Sequence, residues 1–336
     1  MSTPHIALYR KYRPQSFSDV VGQKHLVDVL EASIKQKKVS HAYLFCGGRG
    51  TGKTTVARIF ARDIGCNPED IIEIDAASNR GIDEIRELRE AVRTAPFSSP
   101  YKVYIVDEAH MLTKEAANAL LKTLEEPPSH VIFILATTDP EKLPQTIVSR
   151  CQKIAFQSPD ILTLAKRLQH VAHEEGKDID EKTSELIATH GKGSYRDALG
   201  ALEQILTTSD KNITYDSVHT FLGVTDKTAL FAVLKNMCLK DTTSLEKILS
   251  TLQESQSSPI RTYDDLIELL RLGLLSRIGK SGVVEELALL AKEYPFVISS
   301  KTILDLLSKR YLLEVNAVTS WIALQAIVIA IAEGDK

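Results

Sequence analysis

Through the first half of the chain, short apolar runs alternate with stretches of helical periodicity. The runs are Tyr43 to Phe45, Ile71 to Ile74, Val103 to Val106, Val131 to Leu135 and Ile154 to Phe156. This alternation predicts a parallel sheet with helices on both faces, since a parallel crossover needs a helix and strands covered on both sides read as unbroken apolar runs. Ligands of such sheets bind at the carboxyl ends of the strands. Between the runs, Leu112 to Glu126 holds neither glycine nor proline and is stopped by Pro127-Pro128, which predicts a helix with a hard end.

After Phe156 no further strand pattern is readable. Ser158-Pro159-Asp160 opens a helix whose Ile161, Leu164, Leu168 and Val171 fall on one stripe. A second helix ends near His190, where Gly191-Lys192-Gly193 breaks it, and a third carries Ala198, Leu199, Leu202 and Ile205. Together they predict a small helical domain of about 65 residues closing near Gly223. From Thr225 to Ala332 the pattern is again helical and leucine-rich. Its longest apolar run, Trp321 to Ala332, spans 12 residues including Gln325, which suits a buried helix and is too short for a membrane span. The expected division is therefore a sheet-bearing core over 1–158, a small helical domain over 159–223 and a second helical domain over 224–336.

Composition narrows the class of protein without choosing a function. A chain of 336 residues, 43% hydrophobic and 25% charged, suits a soluble protein of two or three domains. The net charge of −3 argues against coating nucleic acid with the whole surface and leaves room for a local basic face. Cys46, Cys66, Cys151 and Cys238 stand far apart, so neither a zinc ribbon nor a disulfide framework is readable, and a reducing cytoplasm fits. Residues Met1 to Arg13 show no secretory pattern.

The candidate chemistry starts at Gly47-Gly48-Arg49-Gly50-Thr51-Gly52-Lys53-Thr54, followed by Thr55. This is the phosphate-loop pattern G-x-x-x-x-G-K-[ST], preceded by a strand pattern and followed by Val56, Ile59 and Phe60 at helical spacing. The glycines let backbone N–H groups and the helix N-terminus face phosphates, Lys53 adds a point charge, and Thr54 can offer its hydroxyl to Mg²⁺. Asp107 and Glu108 close the third run, where Asp107 would hold the Mg²⁺ shell and Glu108 would orient and deprotonate an attacking water. Thr138, in Ala136-Thr137-Thr138-Asp139-Pro140, falls at the same sheet edge, although Thr-Asp-Pro alone reads as a turn. Arg150 alone reads as a surface charge. Arg196 opens the third helix of the small helical domain, from which it could lean over a nucleotide.

Taken together, these residues resemble the bacterial DNA polymerase III gamma/tau family. The resemblance rests on Tyr9-Arg10-Lys11-Tyr12-Arg13-Pro14, Phe17, Val20-Val21-Gly22-Gln23, His41 to Phe45, Glu73 to Ser78, Ala119 to Pro128 and Ala136 to Pro140. It covers Leu8 to about Gly223, while the last third is similar only in length and helicity. The family is the motor of the sliding-clamp loader, an AAA+ ATPase with a P-loop parallel sheet, a helical lid and an all-α collar that oligomerises. By resemblance, Lys53 and Thr54 belong to Walker A, Asp107 and Glu108 to Walker B, Thr138 is sensor 1 and Arg196 is sensor 2. Arg150, in Ser149-Arg150-Cys151, is the finger that enters the adjacent subunit's site. The segment around Tyr12, Val20 and Val21 lies against adenine, and Arg80 contacts DNA phosphate irrespective of sequence, although Asp83, Glu84 and Glu87 nearby would repel it.

The implied ligands are ATP and Mg²⁺, and the implied partners are the delta and delta-prime subunits, the sliding clamp and primer-template DNA. Two departures stand out. Family members usually carry a four-cysteine zinc module between the Walker A helix and the next strand, where Ile64 to Asp70 is here a short loop holding only Cys66, so no zinc is expected. The sequence also ends at Lys336 without the extension of the tau form, which suggests the short gamma form or a divergent copy. A non-hydrolysing structural subunit and another AAA+ protein acting on DNA, such as a branch-migration helicase, are the competing readings. The intact Lys53, Thr54, Asp107 and Glu108 favour a motor.

Overall fold

The computed structural model describes residues 6–78, 81, 87–88, 90–208, 213–224, 226–255, 257–279, 284–314 and 316–334. Arg80 and the rest of its expected helix start, apart from Gly81, lie outside the described residues. The chain divides into two compact units, Met1–Tyr215 and Asp216–Lys336.

The first unit is built on five strands, β1 (Ala42–Cys46), β2 (Ile71–Asp75), β3 (Lys102–Asp107), β4 (Val131–Thr137) and β5 (Gln152–Ala155). All pairings are parallel, in the order β2-β3-β4-β1-β5. The period-2 alternation splits each central strand between two cores. Tyr43, Phe45, Ile105 and Ile134 enter one core with Phe60, whereas Leu44, Tyr104, Val106 and Phe133 enter the other with Leu120. Burial on both faces is why these strands read as continuous apolar runs. The register sets Asp75 beside Asp107 and Cys46 beside Thr137, so the chemistry-bearing residues gather at one edge.

Helices of this unit that lie wholly among the described residues are α1 (Leu8–Lys11), α2 (Lys24–Lys35), α3 (Lys53–Asp63), α4 (Lys114–Glu125), α5 (Gln145–Val148), α6 (Ile161–Glu174), α7 (Glu181–His190) and α8 (Tyr195–Thr208). Thr113, Asp160 and Asp180 cap α4, α6 and α7 by accepting a backbone N–H. In contrast, α3 starts from Gly52 in the left-handed region (φ 101°) with no side-chain cap.

Three sequence expectations shift. β5 runs Gln152–Ala155 rather than Ile154 to Phe156, because an edge strand exposing Gln152 and Lys153 has a weak apolar signal. Phe156 follows the strand, still donating its N–H to the Cys46 carbonyl at 2.7 Å. The helix expected from Leu112 begins at Lys114, since Ala109–Met111 forms a tight 3-10 turn first. On α6 the buried stripe begins at Leu164, while Ile161 at the helix start is 49% exposed.

The second unit is helical throughout its described residues. After α9 (Tyr215–Phe221), which straddles the boundary, come α10 (Lys227–Leu239), α11 (Thr242–Glu254), α12 (Pro259–Arg277), α13 (Glu285–Glu293), α14 (Ser300–Lys309) and α15 (Ala317–Glu333). They enclose a leucine-rich core with Tyr263, Trp321 and Val328 buried. The Tyr263 hydroxyl donates to the Leu306 carbonyl at 2.7 Å, and Arg310 grips Asp264 through two N–H groups at 2.8 and 3.1 Å. Among the described residues of the chain, no helix is long and apolar enough to cross a membrane.

Candidate active site

The loop between β1 and α3 curls around its own lysine. Gly50 and Gly52 take left-handed φ angles of 69° and 101°, which a residue with a Cβ adopts only under strain. Lys53 is buried, and its ammonium donates to the Gly47 and Gly48 carbonyls at 2.9 Å each. Burial pulls its pKa below the ordinary lysine value, against the opposing charges of Glu108 and Asp107. With no side chain closing the α3 N-terminus, its N–H groups and this cation face the same space.

The acidic side of that space is a chain of hydrogen bonds across strand ends. The Thr54 hydroxyl donates to Asp107 Oδ2 at 2.6 Å, and the Thr138 hydroxyl donates to Glu108 Oε2 at 3.2 Å. The Glu108 N–H donates to Asp107 Oδ1 at 3.0 Å. Glu108 itself is left-handed (φ 48°, ψ 43°), a conformation costly for a residue with a Cβ, of the kind found where a side chain must be aimed. His110 Nδ1 lies 3.0 Å from Thr137 Oγ1 and 3.5 Å from Glu108 Oε2.

A cavity of about 490 Å³ opens between these groups and the segment from Tyr9 to Val21. Of the residues expected at the site, Tyr12, Val20, Val21, Arg49 to Thr55, Asp107, Glu108 and Arg196 line it. Gly47 and Gly48 stand just behind, supplying the carbonyls that hold Lys53. Thr138 reaches the cavity through Glu108. Arg150 does not line this cavity; its guanidinium pairs with Glu125 Oε1 at 2.6 Å and donates to the Thr146 carbonyl at 2.8 Å.

The cavity also takes Arg13, from the Tyr9 to Pro14 run, and three residues the motifs do not name, Arg58, Arg167 and Tyr195. Arg13 is held below the usual guanidinium pKa by burial and by the cations Arg58, Arg196 and Arg10, with Glu73 opposing. Arg167 donates to the Tyr12 carbonyl at 2.8 Å, and the Arg196 guanidinium lies 6.0 Å from the centre of the Tyr9 ring. The cations of the Tyr9 to Arg13 run were the available signal for Arg13. Nothing local marks Arg167 or Tyr195.

A P-loop between β1 and α3, acids at the end of β3, one strand removed across β4, and helices α6 to α8 after the sheet make this unit an AAA+ α/β fold. The Thermotoga maritima RuvB Holliday junction branch migration motor superposes with a TM-score of 0.54 at 21% identity, covering 67% of this chain and 79% of that one; the likeness is one of fold. A family model described as DNA polymerase III, delta subunit, matches residues 22–80 and 69–160. DNA polymerase III subunit tau of Bacillus subtilis is 41% identical over 303 residues, covering 83% of this chain and 54% of the relative. DNA polymerase III subunit gamma of Buchnera aphidicola from Acyrthosiphon pisum is 36% identical over 285 residues, covering 79% of this chain and 78% of the relative. The chain belongs to the DNA polymerase III gamma/tau family. It spans about half the length of the curated tau and gamma/tau relatives it matches.

Proposed function

We propose that this chain is an ATP-driven motor subunit of a clamp loader, using ATP binding and hydrolysis to place a sliding clamp on primer-template DNA with delta and delta-prime subunits. The observation that carries the reading is the bonded series Thr54–Asp107 and Glu108–Thr138 beside the uncapped start of α3. The residues fit a magnesium nucleotide. The Thr54 hydroxyl and the Asp107 carboxylate are hard oxygen donors 2.6 Å apart, and the loop cation and N–H groups suit phosphates. Mg²⁺, when bound, neutralises phosphate charge.

Within this reading Lys53 and the loop N–H groups hold the triphosphate, while Tyr12, Val20 and Val21 lie against the base. Glu108, aimed by its backbone and held by Thr138, accepts a proton from the attacking water. Arg196 acts from the lid side of the same cavity. Arg150, turned toward Glu125 in its own chain, serves the site of an adjacent subunit after exchanging that carboxylate for a phosphate. The parts are a nucleotide-binding core over 1–158, a lid over 159–223 and a collar over 224–336 that joins subunits, and the assembly works in the cytoplasm.

Glu108→Gln tests the reading. In a complex with delta, delta-prime, clamp and primed DNA, it should bind ATP as tightly as the unaltered chain and turn it over roughly 10²- to 10⁴-fold more slowly. Turnover at the unaltered rate would remove Glu108 from the chemistry. An unaltered chain that neither binds nor hydrolyses ATP would leave the structural-subunit reading in its place.

A further inference from the structure

The turn that opens α8 meets both ends of the cavity. A Cβ on Gly50 of the phosphate loop would overlap the Ser194 hydroxyl and lie 3.4 Å from the Arg196 Cβ. At the other end, a Cβ on Gly22 would stand 3.0 Å from the Tyr195 hydroxyl. Both glycines are left-handed, with φ angles of 69° and 75°. The chain thus uses glycine at each place where this turn comes close.

Between those two contacts Tyr195 makes two hydrogen bonds in different directions. Its backbone N–H donates to the Gly50 carbonyl at 3.0 Å, and its hydroxyl donates to the Val21 carbonyl at 2.9 Å. Burial pushes the hydroxyl up to about 12, so the proton stays on the donor at neutral pH. Two residues along the same segment, the buried Gln23 side chain donates to the Gln157 carbonyl at 2.6 Å and accepts the Gln157 N–H at 3.3 Å. One residue therefore spans from the loop that faces phosphates to the segment that faces the base.

We propose that Tyr195 is a positioning residue that sets the span between the phosphate loop and the Val20–Val21 segment, holding the cavity at the length of an adenosine nucleotide before one arrives. The proposal rests on the nucleotide reading above. A cavity already set to its ligand binds more tightly because less ordering remains to be done on binding. The gain appears mainly as slower dissociation. It applies only to ligands that engage both ends at once, since a bare polyphosphate touches only the loop.

Calorimetry with Mg-ATP, Mg-ADP and inorganic tripolyphosphate, on the full chain and its Tyr195→Phe variant, tests this directly. The variant keeps the ring and the backbone bond to Gly50 and loses only the bond to Val21. ATP and ADP should bind roughly three- to tenfold more weakly, the size expected for one hydrogen bond, with tripolyphosphate affinity little altered. Tyr195→Met, similar in size and also without a hydroxyl, should repeat the pattern, and circular dichroism checks that both variants are folded. Equal losses for ATP and tripolyphosphate, or no loss for either, would overturn the assignment. If the unaltered chain binds no Mg-ATP, the nucleotide reading falls and this one with it; if it binds and the variants match it, only the role of Tyr195 falls.

Discussion

The two units are both well packed, yet they use their polar residues differently. In the first, long-range polar bonds converge on one cavity: Thr54 to Asp107, Thr138 to Glu108, Arg167 to Tyr12 and Tyr195 to Val21. In the second, Tyr263 to Leu306 and Arg310 to Asp264 join helix to helix around a leucine-rich core. Exposed apolar side chains show the reverse bias, with Ile278, Leu289, Phe296, Leu304, Leu307 and Ile322 all open on the second unit. One unit is organised around a ligand-sized space and the other around burial, within its core and at its surface. Chemistry should therefore be lost from the first by single polar changes, and assembly from the second by single apolar ones.

Arg150 offers the largest test of that contrast, because it lies in the first unit and faces away from that unit's cavity. Its pairing with Glu125 is half-exposed, so losing it should barely affect folding. In the assembled complex, Arg150→Ala should lower ATP turnover by about 10³-fold or more, the scale of a lost arginine finger. Mixing Arg150→Ala with Lys53→Ala chains should restore turnover only where an intact Lys53 site meets an intact Arg150 from its neighbour. An isolated chain that hydrolyses ATP as fast as the complex would return Arg150 to a surface charge.

A smaller effect probes whether polar residues of the first unit away from the cavity matter as well. Asp70 is buried and accepts the N–H groups of Phe97, Ser98 and Ser99 at 2.6, 3.0 and 3.0 Å. Beside it, Asn67 binds Ser98 and Ser99, and the Cys66 thiol donates to the Tyr101 carbonyl. A carboxylate clamp thus closes the short loop from Ile64 to Asp70, the stretch that holds only Cys66. Burial also pushes the Cys66 thiol up to about 11, far from the thiolate a metal would want. Burial raises the Asp70 pKa, but the hydrogen bonds from Ser98, Phe97 and Ser99 outweigh it and hold the carboxyl below the usual carboxylate value.

Asp70→Ala should cost about 1–3 kcal/mol in urea unfolding at pH 7, the penalty for taking a charged acceptor from three part-buried N–H groups. Because the folded pKa is depressed, the stabilisation by the charged form is fully present above the unfolded value and drains as pH falls through the folded one. The gap between the two proteins should therefore hold from pH 8 to pH 5 and narrow below about pH 4. A gap that widens on acidification would contradict the assigned charge state.

How much of this was legible in the sequence follows the same division. The phosphate loop and the central strands were readable because their signals are local: a fixed spacing of glycines and lysine, and runs apolar on both faces. The bounds of β5 are not legible because an edge strand is half polar, and the exposure of Ile161 is not because the first turn of α6 lies outside its packed stripe. Tyr195 and Arg167 were invisible because each meets its partner across more than 150 residues. The left-handed backbone of Glu108 has no sequence signature, since only its position between strand and turn requires it. In the second unit the helices were legible and the identity of the exposed face was not, for periodicity reports what is buried against the chain itself.

That exposed face gives the smallest prediction and the one that bears on the second unit alone. On α14, Leu306 is fully buried while Leu304 and Leu307 are 66% and 51% exposed, and Tyr311 in the following turn is 67% exposed. A helix on the surface of a monomer normally sets polar residues opposite its buried stripe, whereas α14 sets Leu304 and Leu307 there among Ser300, Lys301 and Ser308. If this surface joins subunits in the collar, covering a half-exposed leucine contributes on the order of 1 kcal/mol. Leu304→Ser should then weaken assembly by roughly fivefold in sedimentation or light scattering, with Leu307→Ser comparable and ATP binding by the single chain unaltered. Because neither residue is part of the core, the melting temperature of the unassembled chain should stay close to that of the unaltered protein. Assembly as tight as before in the Leu304→Ser, Leu307→Ser double variant would mean that the exposed side of α14 is not an interface, and the contrast between the units would then rest on their cores alone.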